Sequence, residues 1–76
     1  MFIHVTKAEY VGEYRIHLTF NDGAEGVVDL STELFGEVFE PLKKKDFFKN
    51  FILEGHTVAW HNGADFAPEF LRERIV

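Results

Sequence analysis

With 76 residues, the chain is long enough for one domain and too short for two, so we treat residues 1–76 as a single domain. The absence of cysteine excludes disulfides and thiolate-bound zinc or iron–sulfur clusters. A formal net charge of −5 disfavours a non-specific nucleic-acid binder, which needs cations to displace counterions from phosphates. The first nine residues lack the apolar region of a signal peptide, and no apolar run approaches the ~18 residues of a membrane span. We therefore expect a cytoplasmic protein without membrane contact.

The first part of the sequence predicts three strands. Residues 2–8 are rich in β-branched and aromatic side chains and predict a first strand, which ends at a turn over residues 11–13. Apolar and polar residues then alternate from Tyr14 to Phe20, which is the pattern of a half-buried strand. A return strand over residues 24–30 completes a hairpin with it.

The loop of this hairpin, residues 21–23, is compatible with two registers. A two-residue loop would set the apolar Ile16 opposite the charged Asp29. A three-residue loop, with Gly23 in the left-handed conformation beside a bulge, pairs Ile16 with Val28 and keeps one face apolar. Because a slip of one residue would turn a whole strand over, we predict the three-residue loop.

Short helical pieces are predicted for residues 31–50, because Gly36 and Pro41 interrupt a helical pattern of apolar residues. We expect Pro41 in the first turn of one piece rather than in its interior. Ser31 and Asp46 are the predicted N-caps. The pattern turns four aromatic side chains toward the sheet: Phe35, Phe39, Phe47 and Phe48.

A second hairpin and a terminal helix complete the prediction. Strands over residues 50–54 and 56–60 flank a turn at Glu54-Gly55, and Asn62-Gly63 reverses the chain again. Pro68 suits the first position of a C-terminal helix. The predicted fold class is therefore α+β, with a small antiparallel sheet of two hairpins plus an N-terminal strand, and short helices in the middle and at the C-terminus.

The sequence contains no recognisable catalytic constellation. Four histidines are scattered without the spacing of zinc ligands, the glycines form no phosphate-binding loop, and there is no cysteine nucleophile. We therefore expect that the protein is not an enzyme and that it uses neither a metal nor a cofactor.

A ligand-binding or enzymatic pocket is a hypothesis for four residues near the ends of elements: Asp29, Trp60, Asn62 and Asp65. Two carboxylates brought close together could perform acid–base chemistry if one pKa were raised. The alternative is that Asp29 and Asp65 each cap a helical turn. Trp60 also has two interpretations, since a lone tryptophan is either an exposed anchor for a partner or a core side chain.

Lys43, Lys44 and Lys45 form the only run of cations in the sequence. Together with the nearby Lys49, they are the candidate residues for contact with nucleic acid. The alternative is a solvated corner of the surface, which is the usual role of a short charge run between apolar blocks. Given the negative net charge, nucleic acid is the less favoured partner.

Several motifs, taken together, resemble a known family. They are F-N-D-G at 20–23, V-D-L at 28–30, F-x-P-L at 39–42 and W-x-N-G-A-D-x-x-P-E-x-L at 60–71. Over nearly its whole length the chain resembles the family called domain of unknown function 2442, and the last motif is the most specific. The resemblance implies a small bacterial α+β protein without an established activity. Some members carry a helix-turn-helix domain, and others are encoded beside a second small domain, which suggests toxin–antitoxin or similar pairs.

We therefore expect a protein-interaction module, either an antitoxin-like half of a two-gene pair or a self-associating protein. An acidic, aromatic-rich chain without a catalytic constellation motivates this expectation. Exposed sheet edges offer a physical route, by strand addition or by formation of a homodimer. The alternative function is that of a transcription-related accessory that binds nucleic acid.

Overall fold

The computed structural model describes residues 2–76 and contains two small antiparallel sheets and three short helices. The first sheet has the strand order β1-β2-β3 and the second pairs β4 with β5. The strands are β1 (Val5–Gly12), β2 (Arg15–Phe20), β3 (Glu25–Asp29), β4 (Ile52–Glu54) and β5 (Thr57–Ala59). A 3₁₀-helix (Glu37–Lys43), α1 (Lys45–Phe48) and α2 (Pro68–Arg74) make up the helical part. The predicted α+β fold class is confirmed.

The β2–β3 hairpin has the predicted three-residue loop and register. Ile16 pairs with Val28, and the amide of Phe20 donates to the carbonyl of Ala24 at 2.8 Å. Gly23 has a φ of +87°, in the left-handed region that favours glycine. The apolar residues of β2 all face the core as a result.

The first strand lies three residues later than predicted. Residues 2–4 stay outside the ladder because the side chain of Asn21 takes their backbone groups, accepting from the amide of His4 at 2.9 Å and donating to the carbonyl of Phe2 at 2.7 Å. At the other end, a register shift between Tyr10 and Gly12 carries the strand past the predicted turn. The prediction of a strand over 2–8 and a turn over 11–13 is therefore wrong at both boundaries.

The middle of the chain forms short helices as predicted, but the predicted N-caps are wrong. The 3₁₀-helix begins after Gly36 rather than near Ser31, and α1 begins after Lys44, so that Asp46 lies in its first turn. Gly36 has a φ of +95°, which turns the chain before the helix starts. Pro41 lies inside the 3₁₀-helix, contrary to the prediction.

The four aromatic residues predicted to face the sheet behave differently. Phe48 is fully buried, Phe39 and Phe47 are half-buried, and Phe35 is 69% exposed. Phe35 precedes the turn at Gly36, so it lies outside the helical repeat that orients the residues after it. The prediction that Phe35 faces inward is therefore wrong.

The second hairpin and the terminal helix form where they were predicted, with one shift. The turn between β4 and β5 is on Gly55 and His56, both with positive φ, rather than on Glu54-Gly55. The next reversal does include Asn62-Gly63, and the amide of Trp60 donates across it to the carbonyl of Ala64 at 2.9 Å. Pro68 is the first residue of α2.

One hydrophobic core joins both sheets, α1 and α2. Trp60 lies among three aromatic rings, with centroid distances of 5.6 Å to Phe48, 5.9 Å to Phe66 and 6.4 Å to Phe51. Large rings bury much area per ordered residue, which a chain of this length needs. Among residues 2–76, no helix has the length and apolar character needed to cross a membrane.

Candidate interaction surface

Trp60 is a core residue rather than an exposed anchor. Its side chain is 2% exposed, and its indole N–H donates to the carbonyl oxygen of Phe48 at 2.8 Å. The ring and its one donor are thus both occupied within the fold. Trp60 offers no free surface to a ligand.

Asn62 holds two segments of the chain together. Its Oδ1 accepts from the amide of Ala64 at 3.2 Å, which fixes the turn after Trp60. Its Nδ2 donates to the carbonyl of Val38 at 2.8 Å, which ties that turn to the 3₁₀-helix. The side-chain amide therefore has a structural use at both of its ends.

Asp29 stabilises a turn at the end of β3. Its Oδ1 accepts from the amide of Ser31 at 2.9 Å, and this hydrogen bond holds the pKa of the carboxyl below its usual value. The bond lies in a turn that no helix follows directly, so the predicted helix cap is replaced by a local side-chain turn.

Asp65 does not cap α2. The N-cap of that helix is Ala67, which has no side-chain capping bond. Asp65 instead forms an isolated backbone bridge with Ala59, which extends the β5 edge beyond the turn. Its own side chain is exposed.

Of the four candidate pocket residues, only Asp29 borders one of the three main grooves formed by residues 2–76. Asp29 borders a groove of about 470 Å³, whose other walls come from Arg15, Val27, Thr32, Glu33, Arg74 and Val76. Trp60, Asn62 and Asp65 are not among these walls. The geometry that acid–base chemistry between the two aspartates requires is therefore not provided by this groove.

Three of the four clustered lysines are paired with carboxylates. Lys43 lies 3.0 Å from Glu40 and Lys45 lies 2.6 Å from Glu13, in both cases from Nζ to a carboxylate oxygen. Lys49 lies 3.5 Å from Asp46. In the part of the chain that the structure describes, Lys44 has no ion-pair partner. The run is a locally balanced surface rather than a cationic patch.

The same lysines border an apolar groove at the corner between the 3₁₀-helix and α1. One part, of about 690 Å³, is lined by Tyr14, Lys43, Lys44, Lys45, Asp46, Phe47 and Asn50. An adjoining part of about 580 Å³ is lined by Glu37, Glu40, Pro41, Lys43, Lys44 and Phe47. The two parts share Phe47 and two lysines, and we call them together the corner groove. Its apolar walls are rings, and its rim carries charged side chains, of which Lys43 and Lys45 are paired with carboxylates.

The walls of the corner groove are held in place by contacts within the chain. The hydroxyl of Tyr14 donates to the carbonyl of Lys43, and the ammonium of Lys45 lies 5.9 Å from the centre of the Tyr14 ring. The side chain of Asn50 donates to the carbonyl of Asp46 at 2.7 Å, closing the end of α1. The groove therefore exists without a partner, which lowers the ordering cost of binding.

Two exposed hydrophobic residues belong to the same middle segment of the chain. Phe35 is 69% exposed and Val38 is 43% exposed, on either side of Gly36. The apolar spacing in the sequence assigned Phe35 to the core and so missed it as a surface residue. The signal that would have found it is Gly36, since a glycine at this position allows the positive φ that separates Phe35 from the helix.

The histidines form no metal site in the described residues, where no group of three or more potential ligands is close enough to hold an ion. The rings of His4 and His56 lie 4.8 Å apart and tilted, at the contact between the first strand and the second hairpin. His17 Nε2 lies 3.4 Å from a carboxylate oxygen of Glu25, on the neighbouring strand. These imidazoles therefore make pairwise contacts.

Comparison with known proteins supports the resemblance noted in the sequence. Searches among curated proteins and among solved structures give no match. The family model described as "Protein of unknown function (DUF2442)" matches residues 5–76, which is nearly the whole chain. The protein is therefore a member of the DUF2442 family of proteins of unknown function.

Proposed function

We propose that the chain is a protein-interaction module that binds a partner protein through its middle segment, residues 31–50, as one half of a two-gene pair. The exposure of Phe35, at 69%, next to a segment that also forms the corner groove, is the observation that carries this proposal. Binding, rather than catalysis, is the role that these residues support.

Among residues 2–76, Phe35 is one of two exposed phenylalanines, the other being Phe2 at 85% near the start of the chain. The fold has a small core and uses most of its large aromatic side chains there, including Phe20, Phe48 and Trp60. A phenylalanine left in water forgoes about 1.5–3 kcal/mol of burial free energy. Burial of its ring against another protein would recover that free energy, and aromatic anchors of this kind dominate binding at interfaces.

The corner groove has the composition of an interface. Its apolar walls include Pro41 and Phe47, whereas charged side chains stand at the rim. Interfaces commonly combine an apolar centre with a polar border. Because Lys43 is already neutralised by Glu40, a partner would not need to supply a charge at that point.

The charge of the chain favours a basic partner. The formal net charge is −5, so a positively charged protein would be drawn to it at long range. Electrostatic attraction of this kind raises the association rate more than the final affinity. The partner is therefore expected to carry a net positive charge and an apolar segment that fits the corner groove.

The test is co-expression with the product of the adjacent gene, followed by size-exclusion chromatography with light scattering. We expect a complex with the summed mass of both proteins. Phe35→Ala should lose that complex, whereas Leu53→Ala, which changes a residue of β4 that is 46% exposed, should keep it. Recovery of the chain without the adjacent gene product, or equal behaviour of the two variants, would overturn the proposal. Circular dichroism of both variants checks that the fold is retained.

A further inference from the structure

The outer edge of β1 exposes backbone groups without a strand partner. Across the β2–β3 pair, the amide of Phe20 donates to the carbonyl of Ala24. The N–H of Phe20 therefore points toward β3. Because the backbone groups of successive residues in a strand point to opposite sides, Thr19 and His17 direct their N–H and C=O groups toward β1. The orientation of every residue in the middle of β1 follows from this alternation.

On β1, Lys7 and Glu9 are the residues that pair with Thr19 and His17. Ala8 lies between them and therefore directs its N–H and C=O away from β2, into the open edge. Within residues 2–76, no backbone hydrogen bond reaches these groups of Ala8. The edge is thus able to accept a further strand.

Both ends of this open stretch are closed. At one end, the amide of Val5 donates to the carbonyl of His56 at 2.8 Å, which places the second hairpin beside the strand. At the other end, a register shift between Tyr10 and Gly12 bends the strand away. The stretch that remains runs from residue 6 to residue 10, with Ala8 at its centre.

The opposite edge of the same sheet is already covered. Val76 donates to the carbonyl of Val27 at 3.1 Å and accepts from its amide at 3.2 Å, so the C-terminal residues lie along β3. A strand that adds to this sheet therefore finds its free groups on β1.

The charges beside Ala8 are self-complementary. Lys7 and Glu9 are exposed on one face of β1, and neither forms an ion pair within the described part of the chain. A two-fold axis at Ala8 sets Lys7 opposite the partner's Glu9 and Glu9 opposite the partner's Lys7. Moving the axis to Lys7 or to Glu9 sets like charges opposite each other, which is unfavourable in a strand pair.

We propose that two copies of the chain associate through antiparallel pairing of their β1 strands about a two-fold axis at Ala8. The N–H of Ala8 donates to the C=O of the partner's Ala8 and receives the same bond in return, as in any hydrogen-bonded antiparallel pair. With three strands from each copy, the product is one continuous six-stranded sheet. This inference goes beyond the proposed function, because β1 lies outside the middle segment and the two surfaces can be tested separately.

The first experiment is sedimentation velocity at low ionic strength over a range of protein concentrations. The wild-type chain is expected to form a dimer, and K7E and E9K, each placing like charges across the axis, are expected to weaken it at least tenfold. An equimolar mixture of K7E and E9K restores opposite charges on both sides of the axis and should form the mixed dimer. A monomeric wild-type chain at every concentration, or a mixture that associates no better than the single variants, would overturn the proposal.

The second experiment tests the register by crosslinking, and the chain has no cysteine of its own to interfere. Lys7→Cys and Glu9→Cys variants are mixed under mild oxidation, and a disulfide-linked mixed dimer should form rapidly, since directly opposed residues lie within disulfide reach. Equal crosslinking of Lys7→Cys alone would contradict the axis at Ala8. Phe35→Ala, with its change in the middle segment, should dimerise like the wild-type chain, so this result is independent of the partner protein.

Discussion

The indole N–H of Trp60 donates a 2.8 Å hydrogen bond to the carbonyl oxygen of Phe48, and the two rings pack with centroids 5.6 Å apart. This pair joins the end of the second hairpin to α1. The helix has four residues, far fewer than the ~12 that an isolated helix needs for stability in water. Its position therefore depends on contacts such as this one.

Replacing Trp60 by phenylalanine should destabilise the fold. The variant keeps an aromatic ring but leaves the buried carbonyl of Phe48 without its donor, at a cost of about 1–3 kcal/mol in the free energy of unfolding. Urea unfolding followed by circular dichroism measures this change. The control is Phe51→Leu, which alters a neighbouring ring without removing a hydrogen bond. A smaller loss for Trp60→Phe than for the control would contradict the role of the bond.

Gly26 is needed because the C-terminus passes close to β3. A Cβ at this position would lie 2.5 Å from the backbone oxygen of Val76, which the amide of Val27 holds in place by a hydrogen bond. Gly26→Ala should therefore lower the unfolding free energy by about 1–3 kcal/mol and speed hydrogen exchange of the Val27 amide, which is bonded to Val76. Urea unfolding and amide exchange check the two effects.

The matched control for that variant is Gly36→Ala. A Cβ at Gly36 meets no atom within 4 Å, but the φ of +95° makes the residue costly to replace. This variant should also be less stable, whereas exchange of the Val27 amide relative to global unfolding should stay unchanged. Equal acceleration of that amide in both variants would show that the contact with Val76 is not the cause.

Stability should fall in acid because paired carboxyls become protonated. The amide of Ala24, followed by the guanidinium of Arg72, lowers the pKa of Asp22 from its usual value of 3.8. A group whose pKa is lowered by folding contributes fully above its unfolded value, and the contribution is lost as pH falls through the folded value. We expect the urea concentration at the unfolding midpoint to decrease as the pH is lowered below 3.8. In Asp22→Asn this decrease with pH should be less steep than in the wild-type chain. The control Glu73→Gln, an exposed carboxyl of α2, should follow the wild-type curve, and a wild-type slope in Asp22→Asn would contradict the assignment.

At alkaline pH, stability should fall because the ion pair between Lys45 and Glu13 is lost when Lys45 loses its proton. The hydrogen bond and charge of Glu13 raise the pKa of Lys45 from its usual value of 10.5. The contribution is complete below that value and is lost as pH rises through the folded pKa. Glu13→Gln should therefore flatten the loss of stability above pH 10.5, as measured by urea unfolding. Both groups are exposed, so the effect is expected to be small and sensitive to salt.

Nucleic acid should not bind to the lysine cluster. With Lys43 and Lys45 each held by a carboxylate, few counterions would be released on contact with phosphate. An electrophoretic mobility shift assay at low ionic strength is expected to show no complex with duplex or single-stranded DNA. A complex that weakens as salt is added, and that Lys44→Glu abolishes, would contradict this expectation.

The sequence predicts the fold well where the side-chain pattern of the strands and the residue types of the loop indicate the same turn. The loops at 21–23 and 61–63 show this, because each follows an aromatic residue, has Asp or Asn at its second position and Gly at its third. The hydrogen bonds are matched: the residue before each loop donates across it at 2.8 and 2.9 Å, and Gly23 and Gly63 have φ values of +87° and +92°. Local chemistry fixes such turns without help from the rest of the chain.

The wrong predictions come from contacts between residues that are not neighbours in the sequence. The side chain of Asn21 removes residues 2–4 from β1, and Asp65 forms a backbone bridge with Ala59 instead of capping α2. Neither contact leaves a periodic signal. The same limit applies to the candidate pocket residues, because the sequence does not show that Trp60 and Asn62 hold distant segments together.

Calorimetric titration of a basic partner protein into Phe35→Ala and Trp60→Phe separates the residues that bind from the residues that hold the fold. Phe35→Ala should bind at least tenfold more weakly than the wild-type chain while its unfolding free energy stays within about 0.5 kcal/mol. Trp60→Phe should be less stable yet bind with the wild-type Kd at a temperature where it is folded. Weaker binding by folded Trp60→Phe than by Phe35→Ala would contradict this division of roles.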